Sequence, residues 1–427
     1  MKALFVPFAP SLAHVSRCLA VAEAWRERGH LAIFAVGSER AALVQAAGFE
    51  TRSVPEVSGA TFRTDRGFFS WLTPKYFIDN MAAVQRTLAE IDPDVVVFDF
   101  RFTTGLSARH AGRPTVSILH GSALRFASYR PRETGRLLIG DTSTVPGVAA
   151  LRARCLQQFF PIVFQLFMRQ PVRRLAALLK SDDGKPIDSV FELLLGDEIL
   201  AADLSDLLPP KLPPRTHIVG PLMWSGWEQP VPWLNDLDDR PLIYATLGST
   251  VEGQAMLVKI INALRDGAYN VIVSTGSLSL PDTLDLPPQI HVFPTVPGAA
   301  VLQHSLAAVH HGGHETLMQA VAAGVPSLIL PANPDQILVA QQAQTLGVGR
   351  SLWRPGNLPI NAGWQRALTP IEIRSALDHL LADPRYAQAC QTLKHQLAAC
   401  HGSALAAETL EGIAYAKISH ENPVDLH

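Results

Sequence analysis

Short, wholly apolar runs alternate along the chain with longer segments whose apolar positions recur at helical spacing. KALFVPF (2–8) is the first run. HVSRCLAVAEAWRERGH (14–30) follows, with Val15, Leu19, Val21, Ala22 and Trp25 at near-helical spacing and Gly29 as its stop. LAIFAV (31–36) is a second run and ERAALVQAAG (39–48) a second helix. Strands buried on both faces and joined by helices predict a parallel sheet. The rhythm resumes with PDVVVFDF (93–100), TTGLSARHAG (103–112) and PTVSIL (114–119). It restarts in the second half with LIYATLGS (242–249), QAMLVKIINALRD (254–266), NVIVSTG (270–276) and IHVFPTV (290–296). LAAVHHGG (306–313), HETLMQAVAAG (314–324), PSLILP (326–331) and PDQILVAQQAQTLG (334–347) continue it, and helical patterns at 369–383 and 403–417 close the chain.

The pattern predicts two α/β, Rossmann-like, doubly wound domains. The Pro- and Trp-crowded stretch 206–241 reads as a semi-rigid connection. We place the first domain at 1–220, a linker at 221–240 and the second domain at 241–427, the last helix being a candidate to cross back to the first domain.

Composition narrows this picture. A chain of 427 residues exceeds one hydrophobic core, and 48% apolar against 17% charged residues is globular. A formal charge of −2 argues against nucleic acid as a partner. Four cysteines without C-x-x-C or zinc spacing read as reduced, mostly buried thiols. The opening apolar run is too short for a signal peptide, and no run reaches the ~18 residues of a membrane span. The expected location is the cytoplasm.

Candidate chemistry concentrates in HHGGHETLMQA (310–320). A helix starting near His314 offers unpaired N–H groups and a positive dipole end to an anion. Gly312 and Gly313 let a diphosphate approach the backbone, while His311 and Thr316 can donate to it. No G-x-G-x-x-G follows the first strand of either half, which argues against a nicotinamide or flavin cofactor.

The run TVPGAAVLQHSLAAVHHGGHETLMQAVAAGVPSLILPANPDQ (295–336) resembles the nucleotide-sugar signature of the family-one glycosyltransferases. That GT-B group includes the UDP-glycosyltransferases and the bacterial macrolide and antibiotic glycosyltransferases. The resemblance rests on Val296-Pro297, His304, the His311-x-Gly313 turn, Thr316, Gly324-Val325-Pro326, Pro331 and Asp335-Gln336. It implies two Rossmann-like domains facing a central cleft. It assigns the donor diphosphate to His311, Gly312, Gly313 and Thr316, with Ser249 as a lesser contact. Val296 would offer backbone atoms to the base, and Asp335 and Gln336 would bind the sugar hydroxyls. Gln319 stands where a ribose-binding Glu is often found, which leaves UDP- and dTDP-sugars both open. A tryptophan that stacks on uracil in plant members is missing near Thr295, and Val339 stands where an Asn is usual.

The same resemblance makes His14 the catalytic base and Asp99, at the end of a strand, its partner. Imidazole suits this work because it titrates near neutral pH, and a carboxylate fixes its tautomer. Aromatic RGFFSWLTPKYF (66–77) suggests Phe68 and Trp71 on the acceptor side, with His120 as a further candidate. FFPIVFQLFM (159–168), flanked by arginines, has three readings: the wall of an apolar acceptor pocket containing Phe164, a patch that touches a membrane, or an ordinary core-packed helix.

The implied function is inverting transfer of a hexose or deoxyhexose from a nucleotide-sugar to a hydroxyl of an apolar small molecule. The donor is a co-substrate; no cofactor and no metal is expected, and the oligomeric state is open. The rivals are a lipid-linked MurG-like transferase, a sugar-nucleotide epimerase, and a protein that binds such ligands without turnover.

Overall fold

The computed structural model describes the chain apart from residues 65–68, 141–144, 146–147, 176–177, 179–186, 188, 228–229, 249–252, 277, 355–366 and 422–427. It contains two compact units. One comprises Met1–Thr134, Ile162–Trp224 and Cys400–His427; the other comprises Gly135–Pro161 and Ser225–Ala399.

The first unit carries seven parallel strands: β1 (Lys2–Pro7), β2 (Leu31–Val36), β3 (Glu50–Ser53), β4 (Val95–Asp99), β5 (Thr115–Leu119), β6 (Glu198–Ala201) and β7 (Thr216–Ile218). Their order is β3-β2-β1-β4-β5-β6-β7. Side chains alternate across this sheet as the period of two requires. Ala3 and Phe5 join Phe34 and Val95 on one face, covered by Val15, Leu19 and Trp25 of helix Leu12–Glu27. Leu4, Val6, Val96 and Phe98 occupy the other, covered by Ala83, Val84 and Leu88 of helix Pro74–Ile91. The closing helix, Gly402–Glu421, puts Ala406, Ala407, Leu410 and Ala414 into the first of these cores.

The second unit has six parallel strands: β8 (Leu242–Thr246), β9 (Asn270–Ser274), β10 (Ile290–Phe293), β11 (Ser305–His310), β12 (Ser327–Ile329) and β13 (Gly349–Ser351). Their order, β10-β9-β8-β11-β12-β13, repeats the arrangement of the first sheet. Ile243, Ala245 and Val271 pack against helices Gln254–Ala263 and Pro370–Ala382. Tyr244 and Ile272 pack against helices Gly298–Leu302 and His314–Ala323.

The stretch 206–241 is more structured than a linker. It contributes β7 to the first sheet, and Val219 and Leu222 lie in that unit's core. Trp224 Nε1–H donates to Glu23 Oε1 at 2.7 Å, and Leu234 is buried in the second unit. The thiols are all free; Cys18 and Cys390 are buried, but Cys155 and Cys400 are exposed, so burial holds for only half of them. Among the described residues no helix is long and apolar enough to cross a membrane.

Candidate active site

In sheets of this order, ligands bind beyond the carboxyl ends of the strands, where the order reverses. In the first unit that point lies between β1 and β4. Pro7 pairs with Asp99 there, and the Phe8 N–H donates to the Asp99 carbonyl at 3.0 Å. The chain then turns into helix Leu12–Glu27, whose first turn carries His14.

His14 Nδ1 lies 2.7 Å from Asp99 Oδ1. Arg17, one helical turn further on, donates from Nε to Asp99 Oδ2 at 2.8 Å and from Nη2 to Oδ1 at 3.1 Å. Its Nη2 is also 2.7 Å from His14 Nδ1. That nitrogen cannot donate to the carboxylate and accept from the guanidinium at once. A proton on Nδ1 directed at Asp99 satisfies all three groups and leaves Nε2 with the free lone pair. All three side chains are buried. Burial alone would push the Asp99 carboxyl up, but the guanidinium of Arg17 and the ring of His14 hold it below the usual carboxylate range.

Phe100 follows with φ 54°, a left-handed conformation that costs energy in a bulky residue. The turn lays its ring along the imidazole, with centroids 4.9 Å apart and planes 13° apart. Phe8 presents an edge to His14 and stacks on Trp71 at 5.7 Å. Trp71 in turn meets Phe69 and Phe102. Trp71 thus stands one ring removed from His14. Its Nε1 is buried and has no hydrogen-bond acceptor among the described residues.

The other acceptor-side candidates are placed differently. His120 caps helix Gly121–Ser128 beyond β5 and shares a 2.8 Å hydrogen bond with the Ser122 hydroxyl. Phe164 is fully buried within helix Val148–Leu175. Phe68 lies outside the described residues. A separate cavity of about 560 Å³ lies beyond β2 and β3, beside Glu39, Glu56 and Arg86. Glu56 is tied there by the Arg101 guanidinium at 2.5 Å.

The second unit repeats the arrangement. His310 ends β11 and pairs with Thr246 at the end of β8, again where the strand order reverses. Gly312 has φ 88°, and a Cβ there would lie 2.9 Å from Ile329 and 3.1 Å from the Gln336 carbonyl oxygen. Only glycine suits that position on both counts. The Gly312 N–H donates to His310 Nδ1 at 3.0 Å, which fixes the turn. Gly313 is the N-cap of helix His314–Ala323 and supplies no side-chain cap to its first N–H groups. Thr316 is in the first turn, its Oγ1 3.8 Å from where a Cβ on Gly313 would sit.

His311 is buried, and its Nδ1 lacks a partner among the described residues. Burial lowers its pKa to about 4, against the opposing pull of the Thr246 backbone, and lowers that of His310 to about 3 with help from His311. Both imidazoles are therefore neutral near pH 7. Gly248, with φ 70°, approaches His311 so closely that a Cβ would be 2.5 Å from Cε1. Ser249 itself lies outside the described residues.

A Cβ on Gly298 would lie 3.4 Å from Gln319 Oε1, and Val296 is buried. Gln336 is buried, and its Oε1 accepts from the Ala332 N–H at 2.8 Å. Asp335 opens the same helix, Pro334–Thr345, against which the Gly312 turn packs. Among the described residues no cluster of His, Cys, Asp and Glu could hold a metal ion. Arg17 and Phe100 are the residues that sequence reasoning passed over. Their only signal was position, one helical turn after His14 and one residue after Asp99.

A family model for the C-terminal domain of erythromycin biosynthesis protein CIII-like proteins matches residues 259–411. A PGL/p-HBAD biosynthesis glycosyltransferase of Mycobacterium tuberculosis is 30% identical over 390 residues, spanning 89% of this chain and 87% of that protein. The chain belongs to the family-one GT-B glycosyltransferases. This glycosyltransferase is also 31% identical over 356 residues to a PGL/p-HBAD biosynthesis rhamnosyltransferase of Mycobacterium bovis, across 82% of this chain and 76% of that one. Among solved structures, the spinosyn forosaminyltransferase shares its fold with a TM-score of 0.68 at 21% identity, covering 97% of this chain and 99% of that one.

Proposed function

We propose that this glycosyltransferase moves a hexose or deoxyhexose from a UDP- or dTDP-sugar to a hydroxyl of an apolar small molecule, with inversion at the anomeric carbon. The buried cluster of His14, Asp99 and Arg17 carries this proposal. An imidazole held by Nδ1 against a carboxylate has Nε2 left for the acceptor hydroxyl proton. As that proton moves to Nε2, the acceptor oxygen bonds to the anomeric carbon, and the bond to the diphosphate breaks. The leaving nucleoside diphosphate carries the displaced electron pair. Asp99 steadies the imidazolium, as a carboxylate does in other base-catalysed transfers.

The N-terminus of helix His314–Ala323, with His311 and Thr316, would take the negative charge of the diphosphate. A helix terminus and an imidazole serve here where other enzymes use a divalent cation. Asp335 would hold sugar hydroxyls; Gln336 has one oxygen already engaged and could offer its amide N–H. Gln319 would serve the ribose without committing the site to UDP or dTDP. The aromatic cluster around Trp71 favours an apolar acceptor, and its indole N–H, which has no acceptor among the described residues, could meet an acceptor oxygen. The similarity to a rhamnosyltransferase supports a deoxyhexose.

A thermal-shift screen of UDP-, dTDP- and GDP-sugars identifies the donor, since a ligand bound only by the folded chain raises its melting temperature. With that donor, His14→Ala should lower kcat by roughly 10²–10⁴-fold and leave donor affinity nearly unchanged. Wild-type turnover in His14→Ala, or a product of retained configuration, would refute the mechanism.

A further inference from the structure

We propose that the exposed face of helix Val148–Leu175, an apolar stripe bounded at both ends by arginines, docks on the surface of an anionic lipid bilayer. This goes beyond sugar transfer and does not depend on it. Leu151, Phe159, Ile162, Val163 and Leu166 are 40–68% exposed. Leu151, Cys155, Phe159, Ile162 and Leu166 recur at spacings of three and four, so they share one face. From Leu151 to Leu166 the stripe runs about 22 Å at ~1.5 Å per residue.

The helix does not need this face for its own packing. Phe160, Phe164 and Met168 are buried on the opposite side. Single exposed apolar residues are ordinary; five on one stripe mark a contact surface.

Charge selects the partner. The helix has five arginines and no Asp or Glu in 28 residues, although the whole chain carries a formal charge of −2. Arg152 and Arg154 lie at one end of the stripe. Arg169 and Arg173 continue its spacing at the other. An apolar centre with basic flanks is how an interfacial helix lies among anionic headgroups, its arginines reaching up to the phosphates. A second copy of the chain fits poorly. In a two-fold contact, parallel or antiparallel, arginine ends would face arginine ends with no acid on either helix to pair them. A small acceptor fits poorly too, because ligand pockets are concave and a row along one helix face encloses nothing.

The test is co-sedimentation of the full chain with vesicles of phosphatidylcholine alone and of equal parts phosphatidylcholine and phosphatidylglycerol, at low and high salt. Binding should favour the mixed vesicles at least about tenfold and weaken with salt. Phe159→Ser/Leu166→Ser should reduce it by about tenfold or more. Arg154→Glu/Arg173→Glu should do so by about fivefold per site. All four positions are exposed, so far-UV circular dichroism and melting temperature should stay unchanged. Failure of the wild-type chain to bind the mixed vesicles overturns the proposal, as does equal binding by the variants or to pure phosphatidylcholine. A wild-type dimer separated by Phe159→Ser/Leu166→Ser would assign the face to a second copy. A rise in acceptor KM in the same variant without vesicles would assign it to the acceptor. Either result overturns the lipid proposal.

Discussion

Arg17→Met tests the charge balance of the first site. The substitution keeps an unbranched side chain of similar length but removes both N–H donors to Asp99. The carboxylate is 1% exposed and would be left with His14 alone. Removing one partner of a buried ion pair costs about 3–5 kcal/mol. In a unit of this size each kcal/mol lowers the midpoint by roughly 2–4 °C, so thermal unfolding of the first unit should begin roughly 6–20 °C earlier. The pH dependence separates lost charge from lost packing. In the wild type the folded pKa of Asp99 is depressed. Its stabilisation is therefore complete above the unfolded value of ~3.9 and is lost only as pH falls through the folded value. Without the guanidinium, burial dominates, and the Asp99 carboxyl should take up its proton at higher pH than it does in the unfolded chain. Acid should then relieve the defect, so the penalty is large at pH 8 and smaller at pH 5. A resting pair that already holds the proton is a poor base, so the acidic limb of kcat/KM should move upward as well. Arg17→Lys, which keeps the charge, should recover part of both effects. Calorimetry from pH 5 to 8, with a pH–rate profile, is the assay. A midpoint shift under ~3 °C, or one that does not vary with pH, would refute the reasoning.

His311→Ala should weaken donor binding about tenfold or more by removing a donor from the proposed diphosphate cradle, as read by calorimetric titration. Gly248→Ala should do similar damage without replacing His311, because its Cβ would sit 2.5 Å from the ring at a backbone φ of 70°; unaltered binding would show that the ring's position is not needed. Acid should loosen the second unit. His310 and His311 are neutral when folded, with pKa values of about 3 and about 4, whereas the unfolded histidines take up protons near ~6.5. Stability is complete above that pH and falls below it, by about 2 kcal/mol per histidine at pH 5. His310→Gln/His311→Gln should remove most of this acid sensitivity; if the decline persists in that variant, it has another source.

The sequence reveals what depends on local pattern. Strands such as 2–7 and 270–274 are runs buried on both faces, and that burial is written in their composition. Strands β3, β7 and β13 read ETRS, THI and GRS, and nothing local marks them. Each lies at an edge of its sheet and exists because a neighbour offers unpaired backbone groups. Helix Pro384–Ala398 is similar: buried Cys390, Leu393 and Leu397 are its sparse apolar signal, and its N-cap, Asp383, also ends the preceding helix. The stretch 206–241 misleads for the opposite reason. Its prolines suggest a semi-rigid connection, but Leu222 and Leu234 are core residues. Arg17 was illegible because an arginine in an amphipathic helix usually faces solvent. Only the sheet order, which sets β4 beside β1, makes its burial intelligible.

The two candidate centres differ in charge although each occupies the equivalent position within its own sheet. Both histidines follow a strand at the reversal of their sheet, the place where helix N-termini and strand ends converge. His14 has a carboxylate 2.7 Å away, whereas burial and the Thr246 backbone set the state of His311, with no carboxylate contributing among the described residues. A base that must become an imidazolium during transfer gains from a fixed negative charge beside it. A donor to a diphosphate gains from having none, because a carboxylate there would repel the ligand and compete for the N–H. Under the proposed mechanism the negative partner of His311 arrives with the substrate. Placing a carboxylate next to it, as Gly313→Asp would do, should therefore damage donor binding more than Gly313→Ala, beyond what added bulk explains.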